Sequence, residues 1–116
     1  MFPYFYSIGN MDTEKAIDAL AALAQETRLD IFRLLVRAGC QGLAAGEIGA
    51  TLGVASATLS FHLKELKIAG VVSCRREGRS LIYSPDFGAM NELVKFLTEH
   101  CCEGVGQSRL PGQAQS

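Results

Sequence analysis

The step Leu52-Gly53-Val54 constrains the fold of this chain more than any other feature, because it breaks two short segments of different character. Before it, residues 44–52 with Leu43, Ile48 and Leu52 are spaced for one apolar face of a short helix. After it, residues 56–69 carry Leu59, Leu63 and Leu66 at helical spacing, while Ser56, Thr58, Ser60, His62, Lys64 and Lys67 lie largely outside that stripe. Gly70 stops the second segment. A short helix, a glycine turn and a new helix form the helix-turn-helix pattern.

The flanking segments complete a small domain. Asp12 or Thr13 can cap a first helix, in which Ile17, Leu20 and Leu23 make one apolar stripe. The next segment gathers Leu29, Ile31, Phe32, Leu34, Leu35 and Val36 into a largely buried helix that ends at Gly39 and serves as the spine of the core. Two β-rich runs, residues 71–76 and 80–84, are joined around Glu77-Gly78 as a hairpin. Pro85-Asp86 opens a last helix with Phe87, Met90, Leu93, Val94, Leu97 and Cys101 on one side. The chain has 116 residues, enough for one domain. The expected organisation is a flexible N-terminal extension (1–12), a single domain (13–102) and a disordered tail (103–116) of Gly, Ser, Gln and Pro with few core residues. The fold class is mainly α with a β-hairpin wing, a winged helix-turn-helix.

The net charge of −1 conceals a strong local asymmetry. Residues 60–84 hold five basic and two acidic side chains, and both ends of the chain are acidic. A local basic segment on a near-neutral protein suits an anionic partner on one face, and nucleic acid is the first candidate. Hydroxyls and an imidazole on a short exposed helix suit the major groove, which assigns readout to Ser56, Thr58, Ser60 and His62, with Lys64 beside them. Arg75, Arg76 and Arg79 on the hairpin suit phosphates or the minor groove. Taken singly, each of these residues reads equally well as part of a solvated surface, and His62 as an imidazole bonded to a backbone carbonyl. No apolar run approaches the length of a membrane span, and the opening MFPYFYSIGN lacks the basic region of a secretory signal. The expected location is the cytoplasm, with no membrane partner.

Four cysteines, Cys40, Cys74, Cys101 and Cys102, are therefore expected as reduced thiols. Nucleophilic catalysis lacks its parts: neither His62 nor His100 has an evident orienting carboxylate, and there is no phosphate loop.

The run Ser56-x-x-x-Ser60-x-His62-Leu63-x-x-Leu66-x-x-Ala69-Gly70-Val71-Val72, followed by Arg-Glu-Gly-Arg-x-x-x-Tyr from Arg76 to Tyr83, resembles the ArsR/SmtB metal-responsive repressors. ALAQETRLDIFRLL, from Ala22 to Leu35, is similar to the family's second-helix signature. The resemblance implies a homodimer that binds an inverted repeat in double-stranded DNA and leaves it when an inducer binds. The apolar stripes of the first and last helices exceed the needs of one core, and an isologous interface would use them.

Of the sensing sites the family uses, the Cys-x-Cys arsenical site has no counterpart in residues 43–49, which hold no thiol. A zinc site on the last helix would have only His100, Glu99 and Asp86. Cys101-Cys102 resembles the C-terminal cysteine site of an arsenic-responsive branch. Neighbouring side chains on a helix diverge by about 100°, so both thiolates can hold one atom only where the helix end unwinds. Soft trivalent arsenic or antimony suits such a pair. Arsenite takes three sulfurs and a monomethyl arsenical two, and no third thiol follows in residues 103–108, which leaves Cys40 or Cys74 as the candidate third ligand. The expectation is an arsenical-responsive repressor with no constitutive cofactor, its inducer a methylated arsenical, arsenite or antimonite. A thiol redox-sensing repressor and a zinc-type sensor of the same family are the alternatives.

Overall fold

The computed structural model describes residues 11–105. The expected extension up to residue 10 and the tail from residue 106 lie outside them. Helix α1 spans Thr13–Leu23 and is capped by Asp12, whose Oδ1 accepts the Lys15 N–H at 2.9 Å. Its buried residues are Ala16, Ala19 and Ala22, whereas Ile17 is 58% and Leu20 42% exposed. The expected large-residue stripe is thus not the face that packs within the chain. Small side chains turn inward instead and let α1 approach the core closely.

Helix α2, Glu26–Ala38, starts from Gln25, whose Oε1 accepts the Arg28 N–H at 2.9 Å. Ile31, Phe32 and Leu35 are its buried residues, and Leu29 and Val36 are exposed. It is an amphipathic spine rather than a helix buried all round, because other elements cover only one side of it. A 3₁₀ turn, Gly39–Gln41, leads into strand β1, Leu43–Ala44, which takes residues expected to join the next helix. Gly42 has φ +73°, and a Cβ there would come within 2.5 Å of the Tyr83 carbonyl oxygen.

Helix α3, Ala45–Leu52, begins where the Glu47 carboxylate accepts the Ala44 N–H at 2.9 Å. Gly53 ends it in the left-handed conformation at φ +68°, as the glycine break requires. Helix α4, Ser56–Ile68, follows and buries Leu59, Leu63 and Leu66. Strands β2, Val72–Glu77, and β3, Ser80–Pro85, form the wing and join β1 in an antiparallel sheet of order β1-β3-β2. Glu77 pairs with Ser80, so the wing turns on Gly78-Arg79, with Gly78 at φ +64° where a tight hairpin favours glycine.

Helix α5, Phe87–Thr98, is capped by Asp86 Oδ1 accepting the Ala89 N–H at 2.9 Å. It packs beside α1 and turns Leu93 inward. Val94 and Leu97 remain exposed, as Ile17 and Leu20 do on α1. The most deeply buried side chains are Ile31, Leu35, Ile48, Leu66 and Val71, which join α2, α3, α4 and the root of the wing in one core.

Candidate nucleic-acid interface and thiol pair

The core stripe of α4 fixes what its other side presents. Ser56, Thr58, Ser60 and Lys64 are exposed, with Ser56 and Ser60 lining a shallow groove against α3. His62 departs from the expectation: it is only 9% exposed, because it falls one position from Leu63 and between Leu59 and Leu66 on the inner side. Its Nδ1 lies 3.3 Å from Arg28 Nη1, so the partner is a guanidinium on α2 and not a backbone carbonyl. Arg28 also donates from Nε to the Ala22 carbonyl at 2.6 Å. The imidazole is therefore turned inward and does not stand with Ser56, Thr58 and Ser60 on the exposed side of α4, against the expected role in readout.

Phe61 is the residue that sequence reasoning passed over. It is 54% exposed on α4, with its ring edge-on to the His62 imidazole at a centroid distance of 5.3 Å. Its spacing of four from Ala57 and three from Lys64 was the available signal.

On the wing, Arg75, Arg76 and Arg79 are all exposed. Arg75 has a structural task as well: Nε donates to Glu77 Oε2 and Nη2 to the Gln41 carbonyl, both at 2.9 Å. It braces the wing against the turn that follows α2. Arg76 sits near the end of β2, and Arg79 occupies the tip itself.

The chain beyond α5 is where the thiols meet. Glu99 is extended, and His100 and Cys102 both adopt φ +64°, so neither cysteine is on the helix. The Cys101 N–H donates to the Thr98 carbonyl at 3.0 Å, and His100 Nδ1 lies 3.1 Å from Glu103 Oε1. In this turn Cys101 Sγ and Cys102 Sγ come to 2.9 Å, both exposed. The hydrogen bond to Cys102 is the main cause that raises the Cys101 thiol above its ordinary pKa, with a small contribution from burial. The expectation that the last helix carries Cys101 on its apolar side is not met, because the helix ends at Thr98.

Cys40 is exposed in the 3₁₀ turn, and Cys74 is half-buried on β2 opposite Tyr83 on β3. Burial, then the Cys74 charge and a hydrogen bond from it, raise the Tyr83 phenol. Among the described residues no three His, Cys, Asp or Glu side chains converge as a metal site. Among the described residues, neither Cys40 nor Cys74 lies in such a group with the vicinal pair. The residues considered for zinc are dispersed too, since Asp86 caps the start of α5 and His100 lies past its end, about 18 Å away along a 12-residue helix. No helix among the described residues is long and apolar enough to cross a membrane.

A helix-turn-helix with a basic wing defines a DNA-binding protein of the winged-helix class. Residues 23–75 match the family model described as a helix-turn-helix domain. ArsR2 of Halobacterium salinarum, described provisionally as an arsenical resistance operon repressor, is 31% identical over 80 residues, which is 66% of this chain and 66% of that one. The structure of HlyU from Vibrio cholerae superposes with a TM-score of 0.59 at 33% identity, covering 75% of this chain and 97% of HlyU. The homodimeric winged helix-turn-helix DNA-binding domain of Mb0332 from Mycobacterium bovis gives 0.57 at 27% identity, covering 81% and 97%. The chain belongs to the ArsR family of transcriptional regulators.

Proposed function

We propose that this ArsR-family regulator is a repressor that binds an inverted-repeat operator as a homodimer and leaves it when a trivalent arsenical bridges Cys101 and Cys102. The observation that carries this reading is the 2.9 Å approach of two exposed thiols in a turn just beyond α5. Two sulfurs already side by side chelate a soft ion with little further ordering. The likeness to an arsenical resistance repressor supports the class of inducer.

The dimer reading draws on Ile17, Leu20, Val94 and Leu97, apolar side chains on the adjoining helices α1 and α5 that one protomer leaves exposed. The homodimeric state of Mb0332 supports it. A pair of winged helices about 34–36 Å apart reads two half-sites one turn of DNA apart. The thiols directly follow a helix assigned to the interface, so a ligand that locks this turn in one arrangement biases the spacing of the two α4 helices. A preference of a few kcal/mol for the non-binding arrangement suffices.

A two-sulfur site favours a monomethyl arsenical over arsenite. The test is fluorescence anisotropy of a labelled operator duplex with reduced protein, titrated separately with arsenite, antimonite and trivalent methylarsenical. Release by the methylated species at the lowest concentration, lost in Cys101→Ser/Cys102→Ser, is the expected result. Equal release of the double variant sinks the assignment. The same short sulfur–sulfur distance favours one second reading, a redox sensor that closes a vicinal disulfide. Peroxide-driven release without arsenical, reversed by dithiothreitol, identifies that case.

A further inference from the structure

Ala57, Phe61 and Lys64 share the face of α4 opposite Leu59, Leu63 and Leu66, and all three are exposed. Phe61 sets an apolar ring, more than half in solvent, among the hydroxyls and ammonium groups of this helix. The ring is also held. It stands edge-on to His62, whose imidazole is bonded to Arg28, whose Nε is bonded in turn to Ala22. A chain of contacts from α1 through α2 therefore fixes the imidazole against which the apolar group at the centre of the outer face of α4 rests. Preorganised apolar surface of this kind serves recognition, since little side-chain freedom is lost on binding.

The neighbouring charges select the occupant. Lys64 lies one turn from Phe61 on the helix, Lys67 a turn further on, and Arg76 and Arg79 stand on the wing, which suits a polyanion. The edges in a DNA major groove are polar except for one group, the 5-methyl of thymine, which accepts apolar contact. We propose that Phe61 is a specificity-determining residue that packs on a thymine 5-methyl in each half-site, with His62 and Arg28 as the positioning residues behind it. This rests on α4 being the groove-entering helix. It assigns sequence discrimination to a residue with no hydrogen-bonding group, whereas Lys64 contributes attraction that is indifferent to sequence.

Deletion of a single methyl group from the DNA tests the idea. Duplexes are first selected by the reduced full-length parent from a randomised inverted-repeat library. Each thymine of a selected duplex is then replaced by deoxyuridine, and binding of parent, Phe61→Ala and Phe61→Leu is followed by anisotropy across a salt series. At one position per half-site the replacement is expected to weaken the parent about four-fold, and about fifteen-fold when both half-sites are changed, the ratios that loss of one buried methyl group gives. Phe61→Ala is expected to bind both duplexes equally with an unchanged salt slope, and Phe61→Leu to keep part of the preference. The proposal is overturned if uracil costs the parent nothing at every position, or costs Phe61→Ala as much as the parent. Failure of the parent to enrich any duplex is a different outcome and overturns the assignment of α4 itself to the groove. Since Phe61 is exposed, Phe61→Ala is expected to retain the parent's circular dichroism, and Phe61→Leu keeps the test open if it does not.

Discussion

Arg28 and His62 lie 34 positions apart in the chain, yet Arg28 Nη1 is 3.3 Å from His62 Nδ1. A guanidinium only donates, so Nδ1 is the acceptor and the ring proton of the neutral imidazole sits on Nε2. Through the bond from Arg28 Nε to the Ala22 carbonyl, the end of α1 is tied to α4. Arg28→Ala leaves both acceptors without their donor in a half-buried site. The expected loss is about 1–3 kcal/mol per unpaired group in urea unfolding. Imidazole nitrogen NMR is expected to show the Nε2-protonated tautomer in the parent and a weakened preference in the variant.

Gly42 and Gly78 share a positive φ but differ in surroundings. A Cβ at Gly42 meets the Tyr83 oxygen at 2.5 Å and Ile82 Cγ2 at 2.8 Å, where β1 pairs with β3, while a Cβ at Gly78 meets nothing within 4 Å. Gly42→Ala is expected to cost about 2–4 kcal/mol, backbone strain and overpacking together. Gly78→Ala carries the strain alone, about 1–2 kcal/mol. Thermal unfolding of the two variants side by side measures the difference.

The shared hydrogen bond makes Cys101 a pH-dependent nucleophile. Because its pKa is raised, Cys101 keeps its proton up to a higher pH than an ordinary thiol, and its alkylation by iodoacetamide goes on accelerating to a higher pH than that of an unperturbed cysteine. Cys102→Ala removes the largest cause, so the midpoint is expected to fall. Peptide mass spectrometry of the iodoacetamide-treated protein over a pH series follows Cys101 separately from the other thiols. Cys101 is exposed, so the effect appears in reactivity and not in stability.

Val94 and Leu97 are 54% and 57% exposed on α5 and are assigned to the dimer interface. Leu97→Glu introduces a charge that is solvated in the monomer but desolvated in the dimer. The expected result is a monomer in sedimentation velocity with unchanged helical circular dichroism, and operator binding reduced at least ten-fold. A dimer of parental affinity places the interface elsewhere.

Arg79 and Arg75 separate two roles within one wing. Arg79→Ala is expected to weaken binding to all duplexes alike and to reduce the salt slope by about 1 for each phosphate that the wing no longer neutralises. Arg75→Ala also releases the wing from Gln41 and Glu77, so faster amide exchange along β2 should accompany the weaker binding. Equal exchange in both variants removes the bracing role.

What was legible in the sequence depends on residues a few positions apart. Asp12 and Asp86 cap helices by accepting the N–H three residues on, Gly53 and Gly78 supply positive φ where a turn needs it, and the Leu59-Leu63-Leu66 stripe orients α4. The order of elements, the wing and the thiol pair follow from such local signals. Tertiary packing decided which of two helical faces wins. On α1 it chose Ala16, Ala19 and Ala22 over Ile17 and Leu20, because close approach to the core needs small side chains and the larger ones remain for a partner. It turned His62 inward to Arg28, joined Arg75 to Gln41, paired β1 with β3 and left Phe61 outside. Arg28–His62 and Arg75–Gln41 each join groups 34 positions apart, and periodicity within one element holds no information about a partner on another. Only the folded chain brings them within reach.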